Sequence, residues 1–160
     1  MSVGVLFVCL GNICRSPTAH GVFQNRVQER GLSSAIQVDS CGTGDWHVGH
    51  APDRRAAAAA RSRGYDLDDL RARQVTAADF GRFDYILAMD RMNLADLETI
   101  RPGGFDGHLG LFLEFAPGVR TVEVPDPYYG GEDGFAEVLD LVEAASDGLL
   151  EEICRAHSLR

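Results

Sequence analysis

Four short apolar runs alternate with segments of helical character along the chain, and this alternation restricts the fold more than any other feature. The runs cover residues 3–8, 35–40, 84–89 and 109–112, and the first is a continuous series rich in β-branched and aromatic residues. Such a run is typical of a strand that is buried on both faces of a parallel sheet. Strands that alternate with helices predict βαβ units. The sequence therefore predicts a three-layer α/β fold, with a four-stranded parallel sheet flanked by helices.

Residues that favour helix ends define the helical segments. Ser16 can cap a first helix that has Pro17 at its first position. An alanine-rich helix is predicted over about 53–63, and Asp90 can cap a third helix. Apolar residues at helical spacing over 135–153 then predict a long final helix.

Composition narrows the class of protein. The 160 residues suit one domain, over residues 1–160, with a net charge of −9 and only arginine as a basic residue. An acidic chain without a basic run is a poor candidate for nucleic-acid binding, and no apolar stretch approaches the roughly 20 residues of a membrane span. The four cysteines lack disulfide-scaffold or zinc spacing, and the histidines suggest no metal site. We expect a cytoplasmic protein with reduced thiols, no cofactor and no metal.

The segment between the first strand and the first helix, CLGNICRS, has the composition of an anion site. Cys9 follows the strand at the carboxyl edge of the predicted sheet, where such folds bind ligands. Backbone N–H groups and the helix dipole attract anions there, and Gly11 and Asn12 can adopt the left-handed angles that turn the amides inward. Arg15 adds a planar fork for two phosphate oxygens. The segment predicts a phosphate cradle with a cysteine nucleophile at its base.

The specificity of this motif depends on its context. A bare Cys-x5-Arg pattern is weak, because about 0.4 chance matches are expected in a chain of this composition. The complete series of strand, CLGNICRSP and helix is far more specific. The alternative is that Cys9 is an inert buried cysteine at a strand end.

Five segments, VCLGNICRSP, DSCGTGDWHVG, ARQVTAADF, FDYILAMD and VPDPYYG, closely resemble the low-molecular-weight protein tyrosine phosphatase family. The resemblance spans nearly the whole chain and implies a flavodoxin-like fold. It implies a cysteine-dependent hydrolysis of phosphotyrosine and small aryl phosphates through a phosphocysteine intermediate. The implied substrates are tyrosine-phosphorylated proteins, with a tyrosine kinase as one candidate, and inorganic phosphate is the product.

The resemblance also assigns catalytic roles. It implies that Cys9 is the nucleophile, Arg15 the phosphate clamp, and Asp126 the general acid that returns as a base. Asp126 lies between two prolines, which restrict its backbone, although an Asp-Pro pair alone is most often a turn. The other residues of the implied phosphate-binding loop are Leu10, Gly11, Asn12, Ile13, Cys14 and Ser16.

Supporting roles follow in the same way. Asn12 is implied to hold the strained loop, Ser16 to hydrogen-bond the thiolate, and Ser40 to join the network that supports Asn12. The alternatives are a turn residue, a helix cap and a strand end. The chain departs from the family at Leu70, where many members carry a histidine of this network. How the network is completed here is left open.

Aromatic residues are expected to form the substrate pocket. By resemblance, Tyr128 and Tyr129 form a wall opposite Trp46, and a deep slot between rings favours phosphotyrosine over the shorter phosphoserine. The alternative is that these rings cover a hydrophobic edge. Cys14 is either an ordinary loop residue or a resolving thiol that traps oxidised Cys9 as a disulfide.

Three other functions compete with this hypothesis. Related arsenate reductases need further cysteines, but this chain has none between Cys41 and Cys154. Related protein-arginine phosphatases carry threonine in place of Ile13. A phosphate-binding module or a cysteine phosphocarrier would not need the complete set of nucleophile, arginine and acid. Turnover of an aryl phosphate without added metal would distinguish an enzyme from such a module.

Overall fold

The computed structural model describes residues 2–128 and 132–159. Its centre is a four-stranded sheet in the order β2-β1-β3-β4, and every neighbouring pair of strands is parallel. The prediction of a four-stranded parallel sheet is thereby confirmed. The strands are β1 (Val3–Cys9), β2 (Ile36–Gly42), β3 (Tyr85–Ala88) and β4 (His108–Leu111).

The position of β1 inside the sheet determines where Cys9 lies. β1 pairs with β2 on one side and β3 on the other, so that Val8 is opposite both Cys41 and Ala88. All seven residues of β1 are buried, as its continuous apolar run predicts. Because parallel strands end at the same edge, Cys9 lies beside the residues that follow β2 and β3.

In the described part of the chain, four α-helices and two short 3-10 helices surround the sheet. The predicted helices agree with the structure to within a few residues at most ends. The predicted fourth strand differs at its end, because Phe112 begins a 3-10 helix instead. No helix within the described ranges is long and apolar enough to cross a membrane. The helices are α1 (Arg15–Glu29), α2 (Arg54–Arg61), α3 (Arg91–Ile100) and α4 (Glu132–His157), with 3-10 helices at Ala77–Gly81 and Phe112–Phe115.

The start of α1 differs from the prediction. The helix begins at Arg15, and Cys14 occupies the N-cap position without a side-chain capping bond. Ser16 and Pro17 therefore lie within the first turn, where the backbone N–H groups have no intrahelical partner and proline is tolerated. The predicted capping role of Ser16 is wrong, because its hydroxyl bonds to groups at the end of β1 and in β2 instead.

Side chains of β1 alternate between two hydrophobic layers. Phe7 packs against the rings of Phe23 and Phe112, at centroid distances of 5.7 and 4.8 Å, in the layer covered by α1 and α4. Leu6 packs with Leu97 of α3 in the layer on the opposite face. Complete burial of one such side chain contributes about 1.5–3 kcal/mol. Helices therefore cover both faces of the sheet, which confirms the three-layer α/β fold.

Candidate active site

The loop between β1 and α1 curves around the sulfur of Cys9. The backbone N–H of Asn12 donates to Cys9 Sγ at 3.2 Å, and Ser16 Oγ lies 3.0 Å from the same sulfur. Asn12 has a φ of 57°, the left-handed conformation that asparagine tolerates better than most residues. This backbone turn directs loop amides toward the sulfur, and Cys9 is itself buried.

Side-chain bonds hold Asn12 in its left-handed conformation. Its Nδ2 donates to Ser16 Oγ at 2.8 Å, and its Oδ1 accepts from the backbone N–H of Arg73 at 3.0 Å. Ser16 Oγ also lies 3.3 Å from the carbonyl oxygen of Cys41. Ser16 Oγ accepts the Asn12 amide and carries one proton of its own. That proton can be donated either to the Cys41 carbonyl oxygen or to Cys9 Sγ.

Ser40, predicted to join the network that supports Asn12, donates its backbone N–H to Asp39, which also bonds Arg73. Its hydroxyl lies 3.0 Å from Nδ1 of His20, whereas the side-chain bonds of Asn12 go to Ser16 and to the Arg73 backbone. Burial lowers the pKa of His20, although nearby Asp39 opposes the shift, which favours a neutral ring at neutral pH. Ser40 therefore joins α1 to β2 and does not bond Asn12 directly.

An ionic network around the buried Asp79 anchors the segment that supports Asn12. The Arg73 guanidinium bonds to Asp39 at 3.0 Å and to Asp79 at 3.1 Å, and Arg82 also donates to Asp79. Burial opposes ionisation of Asp79, but the hydrogen bonds from Arg73, Thr76 and Arg82 together outweigh it and lower the pKa of this carboxyl group. Leu70, at the position where the family often has histidine, packs against the hydrophobic core instead.

Arg15 is buried with fixed partners. Its Nη1 donates to Asp90 Oδ2 at 2.6 Å and to the carbonyl oxygen of Val124 at 3.1 Å. Its Nη2 lies 3.8 Å from Asp126 Oδ2. The side chain is only 4% exposed, so these contacts limit the orientation of the guanidinium. Arg15 can therefore present a fixed donor group to an anion in the loop.

The candidate residues meet in one cavity of about 420 Å³. Cys9 and Arg15 are among the residues that line it, together with Trp46, Tyr128 and Asp126. Trp46 is 68% exposed, and Asp126 accepts the backbone N–H of Tyr128 at 3.0 Å. Tyr129, which was also predicted to form the pocket wall, lies outside the described residues. Further lining residues are Leu10, Gly11, Ile13, Cys14 and His47.

Cys14 lies in the same loop but in a different electrostatic environment. Burial, followed by the negative groups Asp53 and Cys9, raises the pKa of Cys14 to about 12. Cys14 is therefore a neutral thiol at neutral pH. It packs in a small apolar cluster with Ala56 and Phe135.

Several residues of the site were not recognised from the sequence. Asp90 was predicted as a helix cap, and this is confirmed by its bond to the N–H of Asn93 at 2.8 Å, but its second oxygen also holds Arg15. Arg73 and His20 had no assigned role. The contacts Arg15–Asp90, Asn12–Arg73 and His20–Ser40 join residues that are 75, 61 and 20 positions apart, so no local pattern reports them.

Comparison with known proteins identifies the family. The sequence model described as low molecular weight phosphotyrosine protein phosphatase matches residues 4–159. The chain belongs to this family. A family member from Schizosaccharomyces pombe is 46% identical over 154 residues, which cover 95% of this chain and 97% of that protein. The resemblance found in the sequence is thereby confirmed, and the chain is a protein tyrosine phosphatase.

Solved structures of family members agree with the fold. A protein tyrosine phosphatase from Entamoeba histolytica, with Hepes in its active site, superposes with a TM-score of 0.93 at 40% identity, covering 98% of this chain and 99% of that one. An arginine phosphatase from Drosophila superposes with a TM-score of 0.87 at 31% identity, covering 92% and 96% of the two chains. The fold therefore occurs with more than one phosphorylated substrate class.

Proposed function

We propose that this phosphatase hydrolyses phosphotyrosine in proteins, and small aryl phosphates, through a phosphocysteine formed on Cys9. The convergence of Cys9, Arg15 and Asp126 on one cavity supports this proposal most directly. A sulfur nucleophile, a permanent cation and a carboxyl group are the three groups that a two-step phosphoryl transfer needs.

In the first step, the Cys9 thiolate attacks phosphorus while the bond to the tyrosine oxygen breaks. The loop amides and the Arg15 guanidinium bind the equatorial oxygens of the phosphoryl group, where charge is spread in the transition state. Asp126, protonated at this stage, gives its proton to the leaving phenolate. The distance of 3.8 Å between Arg15 and Asp126 supports a position of the acid beside the bound phosphoryl group.

In the second step, water attacks the phosphocysteine. Asp126, now a carboxylate, takes a proton from the water, the sulfur–phosphorus bond breaks, and inorganic phosphate leaves. The thiolate returns to its contacts with the Asn12 amide and the Ser16 hydroxyl. These donors stabilise the leaving sulfur, and so this step needs no separate acid.

Substrate choice follows from the cavity walls. Trp46 and Tyr128 line the same cavity as Cys9. A flat aryl phosphate can reach the Cys9 sulfur between these two rings. Tyrosine-phosphorylated proteins are therefore the proposed substrates, with a tyrosine kinase among the candidates. Phosphoarginine is the competing substrate, since a Drosophila relative is an arginine phosphatase.

Kinetics of defined variants test this function. In the presence of a chelator, we expect Cys9→Ser to abolish turnover of aryl phosphates. The control is Cys154→Ser, which replaces a buried cysteine in α4 and should leave turnover intact. Asp126→Ala is expected to reduce the rate of aryl phosphate turnover by a factor of about 10²–10⁴, and by less for substrates with good leaving groups. Activity of Cys9→Ser, a full requirement for added metal, or faster turnover of phosphoarginine would overturn the proposal.

We also propose a redox role for Cys14 and a cytoplasmic location. Peroxide would oxidise Cys9 to a sulfenic acid, and the Cys14 thiol would attack that sulfur, losing its proton as the disulfide forms and water leaves. All four cysteines are free and buried, which suits a reducing compartment. The disulfide would protect the nucleophile from irreversible oxidation until a thiol reduces it.

A further inference from the structure

Arg55, near the start of α2, contacts the segment that carries the general acid. Its Nη2 donates to the carbonyl oxygen of Tyr128 at 2.8 Å. Its guanidinium carbon lies 5.4 Å from the centroid of the Tyr128 ring and 4.9 Å from that of Phe135. One arginine thus makes a hydrogen bond and two cation–π contacts at the wall of the active-site cavity.

Asp53 connects this arginine to the phosphate loop. Its carboxylate accepts from Nε and Nη2 of Arg55, both at 3.2 Å, and also caps α2. The backbone N–H of Asp53 donates to the carbonyl oxygen of Ile13 at 2.8 Å. A continuous series of bonds therefore runs from the phosphate loop through Asp53 and Arg55 to Tyr128.

The peptide groups of Tyr128 are held from both sides. The N–H of Tyr128 donates to Asp126 Oδ1 at 3.0 Å, and its carbonyl oxygen accepts from Arg55. Asp126 is 44% exposed, so packing against the protein constrains it weakly. The position of its carboxyl group therefore depends on how firmly the Asp126–Tyr128 segment is attached to the rest of the site.

We propose that Arg55 is a positioning residue for the general acid, which it holds at the phosphate loop through Tyr128. This inference rests on the proposed role of Asp126. A general acid must lie within about 2.6–3.2 Å of the oxygen that it protonates, and misplacement by about 1 Å can reduce a rate by about 10²-fold. Arginine suits the role because its rigid planar fork can bond Asp53 and Tyr128 together.

The neighbouring residue provides a matched control. Arg54 is exposed on the same turn of α2, and its side chain makes no hydrogen bond or ion pair with residues 2–128 or 132–159. Arg55→Met keeps an apolar stem against the two rings but removes the donors and the charge. Arg54→Met removes the same charge from the same helix without breaking a hydrogen bond or ion pair to these residues.

The test measures kcat and KM for aryl phosphates whose leaving groups span a wide range of pKa. For Arg55→Met we expect kcat/KM, which reports formation of the phosphocysteine, to fall about tenfold with the poorest leaving groups and to change little with the best, because the latter need little protonation. Inhibition by inorganic phosphate, which reports the loop and Arg15, is expected to stay unchanged. Arg54→Met should have the kinetics of the wild type. Arg55→Lys should lie between the wild type and Arg55→Met, because lysine keeps the charge but lacks the fork.

A double-mutant cycle separates this inference from the proposed function. In an Asp126→Ala background, Arg55→Met should cause no further loss, since the group that it positions is absent. Additive losses, an equal loss for all leaving groups, or a change in KM alone would overturn the positioning role. If Asp126→Ala itself shows no dependence on the leaving group, the assignment of Asp126 as the acid fails instead.

Discussion

Asp90 holds Arg15 and caps α3 with the same carboxylate, and asparagine at this position would separate the two roles. Oδ1 accepts from the N–H of Asn93 at 2.8 Å, and Oδ2 accepts from Arg15 at 2.6 Å. Asparagine is as good a cap as aspartate, so Asp90→Asn keeps the helix end and removes the charge and the acceptor oxygen that hold Arg15. Asp90→Ala removes both.

The expected magnitude follows from these contacts. A hydrogen bond between charged groups contributes about 1.5–3 kcal/mol, and an asparagine whose single oxygen keeps the cap turns its NH2 group, a donor, toward Arg15. We therefore expect Asp90→Asn to lose about 1.5–3 kcal/mol of transition-state stabilisation, or about 10- to 150-fold in kcat/KM. Asp90→Ala should lose at least as much activity, and about 1 kcal/mol more in the free energy of unfolding, because the cap is lost.

The assay combines kcat/KM for an aryl phosphate with urea unfolding. Asp96→Asn is the control, because Asp96 is an exposed acidic residue on the same helix. Both Asp90 variants should lose kcat/KM, because both lose the charge beside Arg15. Only Asp90→Ala should also lose the additional free energy of unfolding, because only it loses the cap. Wild-type kcat/KM in Asp90→Asn would refute the view that this ion pair orients Arg15 for phosphate binding.

Three further experiments test other parts of the structure. Arg15→Lys should be nearly as inactive as loss of the nucleophile, because lysine lacks the fork; near wild-type kcat would contradict a bidentate clamp. The pKa of Cys14 is raised to about 12, so its thiolate fraction increases with pH. After peroxide treatment, mass spectrometry should therefore find more disulfide between Cys14 and Cys9 at pH 9 than at pH 6. A disulfide from Cys9 to Cys41 or Cys154 would disprove this role of Cys14. Gly148→Ala would place Cβ 1.8 Å from the carbonyl oxygen of Phe115, and urea unfolding should show a loss of about 3 kcal/mol. Gly134→Ala in the same helix, where the nearest atom is 3.5 Å away, should cost far less.

The sequence was most informative where local chemistry determines the outcome. The apolar run of β1 and the glycine and asparagine of the loop predicted a strand followed by an anion site. Asp90 was found as a cap because capping depends on residues within one turn. The sequence failed where contacts cross the sheet: the Arg15–Asp90 pair joins residues 75 positions apart, and the Arg73–Asn12 bond joins residues 61 apart. Such pairs depend on strand order, which no local pattern encodes.

The error at Ser16 has a similar origin. A serine followed by proline is a good helix start by local criteria, and that pattern predicted a cap. In the structure its hydroxyl receives the Asn12 amide and reaches the sulfur of Cys9. A tertiary contact therefore overrode the local preference, and only the family resemblance implied this bond.

The distribution of the site along the chain has a consequence for protein synthesis. Cys9 precedes Arg73, which bonds Asn12, and also precedes Asp90 and Asp126, which lie beside Arg15. β1 also lacks one neighbour until β3 has been made. A growing chain therefore carries this cysteine before the residues around it have been made, and it should gain activity only after the Asp126 segment has been added. In refolding experiments, recovered turnover should likewise lag behind the return of secondary structure, and it would report the arrival of the Asp126 segment rather than formation of the sheet.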